Sequence, residues 1–203
     1  KAYAAADGTR KVRIAQALAM YGSPTGVPAL ISEIMDMLQG EQLPKRTADI
    51  LYVTMPPDHG AMPDVCYLLY SLGLTRDKRA IKVWQRVADL LNPTEEDFTD
   101  KMWGIFYYIH ALCVGAEKLG SIEAVPFLKQ LLSIPAISNQ YCYEGHQADF
   151  FLERRALLEL AVGRALARCG SSEGYEILVF YLNDVRSLLS KQAYTELKQL
   201  SGL

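Results

Sequence analysis

Four glycines, Gly22, Gly73, Gly120 and Gly170, recur about 50 residues apart, and each closes one apolar, helix-like stretch just before another begins. A fixed period of that length marks a repeat architecture and constrains the fold more than any single motif does. Glycine suits the left-handed position that ends a helix, and the serines that follow three of these glycines, Ser23, Ser121 and Ser171, are suited to cap the next one. Pro28 and Pro126 stand at the same offset after their glycines, where a first-turn proline costs no hydrogen bond.

The stretches after the glycines carry one-sided apolar stripes at helical spacing. The first has Val27, Leu30, Ile31, Ile34, Met35 and Leu38, and the second Ala80, Val83, Trp84, Val87, Leu90 and Leu91. The third has Ala124, Phe127, Leu128, Leu131 and Leu132, and the fourth Gly174, Ile177, Leu178, Tyr181 and Leu182. The stretches before the glycines are richer in small residues, as in Leu158, Ala161, Val162, Ala165 and Cys169, which allow helices to approach closely. Strand-like alternation with turn dipeptides is missing. One hairpin of this size cannot bury its stripe alone, whereas stacked neighbours share a continuous core. The expected fold is all-α, a right-handed α-solenoid (α-α superhelix) of about four helical hairpins, near 1–40, 61–92, 99–134 and 149–183, plus a C-terminal capping helix over 185–200.

The segments DGTRKVRIAQAL and NDVRSLLSKQAYTEL resemble the first helix of a HEAT-like repeat, and GSPTGVPAL and GSIEAVPFL resemble its turn and second helix. The resemblance spans most of residues 7–200 and implies a single domain that binds partners without catalysing a reaction. Two departures stand out: the period exceeds the roughly 40 to 47 residues usual for such repeats, and Leu74 stands where the other units have serine. The C-terminal stretch LLELAVGRALARCGSSEGYEILVFYLNDVRSLLSKQAYTEL is also similar to the helical C-terminal region of some bacterial FAD-dependent oxidoreductases. That likeness implies a flavin domain upstream. FAD would then belong to the parent protein, because this chain has no GxGxxG after a strand. The chain starts with KAYAAAD, without Met or a helix cap, which fits a piece excised from a longer protein.

Of its 203 residues, 50% are hydrophobic and 22% charged, enough to build a core without metals or disulfides. Its 21 basic and 23 acidic residues leave a net charge of −2, without the positive excess of a nucleic-acid binder. No apolar run is long enough for a membrane span, and no signal-peptide pattern opens the sequence, so a soluble domain is expected. The expected partner is another protein or the chain's own upstream domain.

Residues able to do chemistry concentrate in the loops near 40–60 and 134–148, which a solenoid would place on one edge. Asp58 and His59 lie in the first, Cys142, Glu144 and His146 in the second. A ligand-binding or hydrolytic site there would use His59 and His146 as base or ligand, with Asp58 or Glu144 as the orienting carboxylate. Ordinary turn chemistry explains the same residues, and Cys142 with His146 gives only half of a zinc site. Cys66 and Cys113 share one repeat position and suit buried thiols. The helix WGIFYYIHALC carries His110 and the aromatics Trp103, Tyr107 and Tyr108, which are either core residues or anchors for a partner.

Overall fold

The computed structural model describes residues 3–44, 62–93, 104–145 and 150–202. Among these residues there are nine α-helices and no strand. In chain order they are α1 (Gly8–Met20), α2 (Val27–Met37), α3 (Asp64–Leu74), α4 (Ala80–Leu90), α5 (Ile105–Leu119), α6 (Val125–Leu132), α7 (Phe150–Arg168), α8 (Ser172–Tyr181) and α9 (Ser187–Leu200). None is long and apolar enough to cross a membrane.

Three of the four glycine junctions form as the sequence suggests. Gly22, Gly120 and Gly170 adopt left-handed φ angles of 72°, 60° and 87°. Ser23 and Ser121 each accept from the backbone N–H two residues on, starting 3₁₀ turns at Pro24–Gly26 and Ile122–Ala124, whereas Ser171 stands at the start of α8 without the expected side-chain cap. Pro28 and Pro126 sit in the first turns of α2 and α6. The second junction differs. Gly73 lies inside α3, and the left-handed residue is Arg76, with φ 54°. The helix runs on past the glycine, which accounts for Leu74 standing in place of serine.

Gly73 serves packing instead. A Cβ added to it would stand 2.8 Å from the Cα of Gly115, so α3 and α5 cross with their backbones in contact. A Cβ on Gly115 would in turn stand 2.5 Å from the Trp84 ring. Gly26 lies as close to Ala15, and Gly174 meets Ala167 and the carbonyl of Gly163. Small residues thus fix where α1 meets the turn before α2, where α3 meets α5 and where α7 meets α8.

Helices α1, α3, α5, α7 and α9 pack in succession, and α2, α4 and α6 form a second row against them, while α8 packs on α7 and α9. Most of the predicted stripe positions face inward: Leu30, Ile34, Val83, Trp84, Phe127, Leu128, Ile177 and Leu178 are all buried, whereas Met35 and Leu182, at the edges of their stripes, are exposed. The four cysteines are unpaired thiols, with Cys66 and Cys113 in the core. Hydrogen bonds among helices and their flanking turns include several that join residues 42 to 48 positions apart in sequence, close to one period. Lys78 pairs with Glu123 and Lys129 with Glu173, at 2.6 and 2.7 Å. Arg86 donates to the carbonyls of Leu38 and Gly40 at the end of α2. The last helix begins at Ser187 rather than within the NDVR segment, because Asp184 and Arg186 are turned into a buried ion pair before it.

These contacts set an expectation for stability. Gly174→Ala should cost about 1 to 3 kcal/mol, because overpacking against backbone cannot relax cheaply. Gly40→Ala, where the new Cβ would meet only ordinary contacts at 3.8 Å or more, should stay within about 0.5 kcal/mol. Urea denaturation of the two variants checks the difference.

Candidate functional site

Helix α5 is buried on most sides, and its partly exposed residues, Phe106, Tyr107, His110, Val114 and Glu117, recur at three- and four-residue steps on one face. Beside that face α3 presents Tyr67, 49% exposed, and the half-buried Tyr70. On the other side α7 contributes Arg154, Leu157, Arg164 and Arg168. Three consecutive helices of the first row therefore build one aromatic surface bordered by charge.

His110 is its centre. The imidazole stacks on Phe106 with ring centroids 5.6 Å apart and planes 11° apart, and Arg154 lies over the Phe106 ring at 4.5 Å. The Tyr70 hydroxyl is 2.6 Å from His110 Nδ1. Burial pushes the Tyr70 phenol well up, so it keeps its proton and donates, while Nδ1 accepts. Burial also holds the imidazole below its ordinary value, helped by the Arg164 charge and opposed by Glu117. Arg164 pairs with Glu117 at 2.7 Å, and Arg168 bridges Glu117 and Glu196, tying α5, α7 and α9 together. The site holds a histidine in an aromatic stack, with the protonated Tyr70 hydroxyl as its hydrogen-bond partner.

The sequence candidates divide. Tyr107 lies on this face, edge-on to Phe106 with centroids 5.6 Å apart. Tyr108, one residue on and about 100° around the helix, is fully buried, and its hydroxyl donates to the Pro44 carbonyl at 2.7 Å. It is a core residue, the first of the two alternatives that the sequence leaves open for this helix. Trp103, Asp58, His59 and His146 lie outside the described residues. Glu144 is exposed, and its carbonyl accepts from the Cys142 thiol at 3.1 Å. Among the described residues no group of three His, Cys, Asp or Glu side chains is placed to hold a metal ion.

The loop carrying Cys142 is held by a network the sequence reading missed. Glu159 of α7 is 4% exposed; its two oxygens accept from the N–H groups of Asn139 and Gln140, both at 2.6 Å, and from the Tyr181 hydroxyl at 2.7 Å. Asp184 takes two bonds from the Arg186 guanidinium and one from Cys142 N–H, and Arg186 also donates to the Gln140 carbonyl. Burial raises Glu159 above its ordinary value despite those donors. Burial pushes Asp184 the same way, but the Arg186 and Cys142 hydrogen bonds outweigh it and hold that carboxyl low. The pair of opposed carboxyls pins the loop to α7, α8 and the start of α9. Only a glutamate in the LLELAV segment and the DVR spacing hinted at it.

No family model matches the chain, and neither does any curated protein or solved structure.

Two outcomes follow from these geometries. His110 should titrate with a midpoint below 6.5; its contribution to stability is then present above pH 6.5 and lost as the pH falls through that midpoint. Imidazole NMR shifts against pH check this, and a midpoint at or above 6.5 contradicts it. Glu159→Ala leaves the buried Tyr181 hydroxyl and two part-buried loop amides without their acceptor and should cost about 1 to 3 kcal/mol, with the amides of Asn139 and Gln140 losing protection from hydrogen exchange.

Proposed function

We propose that this chain is a non-catalytic helical-repeat scaffold, a HEAT-like right-handed α-solenoid of about four hairpins with α9 as its cap. It docks another protein, or an upstream domain of its own polypeptide, through the aromatic face of α3, α5 and α7. The repeat reading is supported by cross-links that recur at one period, from Arg86 on Gly40 to Arg186 on Gln140. The docking reading rests on one observation, the exposed Tyr67 beside the half-buried Tyr70, Phe106, Tyr107 and His110 stack. Tyrosine on a rigid helical platform supplies large contact area at little entropic cost, which makes it a favoured anchor. The charged border of Glu117, Arg164 and Arg168 is internally paired and suits the rim of such a surface.

The test separates face from core. A Tyr67→Ala, Tyr107→Ala double variant should keep its stability within about 1 kcal/mol, whereas Tyr108→Ala should lose about 3 to 5 kcal/mol as a buried aromatic. In quantitative co-purification from the source cell, the double variant should lose at least one protein that the wild type and a Tyr108→Phe variant retain. An unchanged set of co-purifying proteins contradicts the docking face.

A further inference from the structure

The loop that Glu159 pins also forms one side of a cavity. Together with α7 and α8 it encloses an open space of about 320 Å³, near the lower end of the range of small-molecule sites. One wall is aromatic: Tyr141 of the loop stacks on Phe180 of α8, with ring centroids 5.2 Å and planes 19° apart. Ile177 adds apolar surface beside it. The charge of the lining has one sign. Glu159, Glu173 and Glu176 line the cavity, and among the described residues no lysine, arginine or histidine does.

Water satisfies carboxyls on an open surface, but Glu159 is only 4% exposed. Its three hydrogen bonds leave Oε1 accepting from the Asn139 N–H alone, so one of the about four acceptor sites of a carboxylate is unfilled. It has no ion-pair partner among the described residues. The charge of Arg186 reaches it, yet that guanidinium is committed to Asp184. The exposed Glu176 likewise has no ion-pair partner among the described residues, whereas Glu173 is held by Lys129 at 2.7 Å. A buried carboxyl lining a cavity is therefore short of positive charge on its open side. These carboxyls are not grouped to share a metal ion. An aromatic and apolar wall beside them suits an organic cation instead, whose stem packs on the rings while its N–H groups donate.

We propose that this cavity binds a primary alkylammonium group, which donates to Glu159 Oε1 and to the Glu176 carboxylate while its alkyl stem lies along Ile177, Tyr141 and Phe180. The ammonium is supplied by a free amine or by the lysine side chain of a peptide, which share this chemistry. The site is separate from the docking face on α3, α5 and α7 and does not depend on it.

The probes are cadaverine, Nα-acetyl-lysine amide and the uncharged isostere pentanediol, each titrated onto the intact chain and followed by amide and carboxyl NMR. At least one ammonium probe should shift the Asn139, Gln140 and Tyr141 amides saturably. It should also draw the Glu159 midpoint down, since a bound cation favours the charged form. Pentanediol should do neither. Tighter binding of cadaverine assigns the site to free amines, and tighter binding of the lysine amide assigns it to a protein side chain; both support the cavity. A Glu173→Gln, Glu176→Gln variant, whose folding is confirmed by thermal melting, should bind about tenfold more weakly. Glu123→Gln, at an exposed carboxyl outside the cavity, should bind as the wild type does. Equal shifts with pentanediol or calcium chloride, an unmoved Glu159 midpoint, undiminished binding to the double variant, or no saturation with either amine would overturn the proposal.

Discussion

Helices α3 and α5 of the first row meet through residues without side chains. At Gly73 the backbone of α3 reaches that of α5 with no room for a methyl group, and Gly115 on the far side leaves as little room against the Trp84 ring. Three helices therefore meet around one point: α3 on α5, and α4 beneath them through Trp84, which itself contacts Phe127 of α6 at 5.9 Å. Each glycine in a helix costs roughly 0.5 to 1 kcal/mol relative to alanine. The close approach it allows returns dispersion energy along the whole crossing, since side chains flanking the contact also come within reach. The same device recurs at Ala15 with Gly26 and at Gly163 with Gly174.

Around these crossings polar groups act as spacers at one-period intervals. Exposed pairs such as Lys78 with Glu123 contribute little energy. Buried ones fix geometry: Glu159, Asp184 and Arg186 fold the long loop before α7 back onto the last hairpin. The two carboxyls respond to pH in opposite senses. Glu159, raised in the folded state, contributes stability that is lost as pH rises through its folded value. Asp184, lowered, contributes stability present above its ordinary value and lost as pH falls.

Much of the all-helical fold was legible because apolar stripes and helix ends are local signals. The stripes of α2, α6 and α8 and the left-handed turns at Gly22, Gly120 and Gly170 follow directly from residue spacing. Gly73 misleads because a glycine needed for close packing reads the same as one needed for a left-handed turn, and the true turn residue, Arg76, carries no such mark. The aromatic helix was legible as special, but Tyr107 and Tyr108 are told apart only by which face of α5 meets α3 and α7. The Glu159 clamp was illegible since its partners lie about 20 residues away on two sides. A buried carboxyl leaves no local signature when its compensation comes from loop N–H groups.

The docking surface proposed above, the aromatic face across the middle of the first row, depends on the α3, α5 and α7 crossings being rigid. Native-state hydrogen exchange tests that dependence most directly. The account expects the slowest amides in the middle of α3, α5 and α7, around Leu69, Leu112 and Val162, opening only with global unfolding. Exchange of the α5 amides as fast as those of α1 and α9 would contradict it.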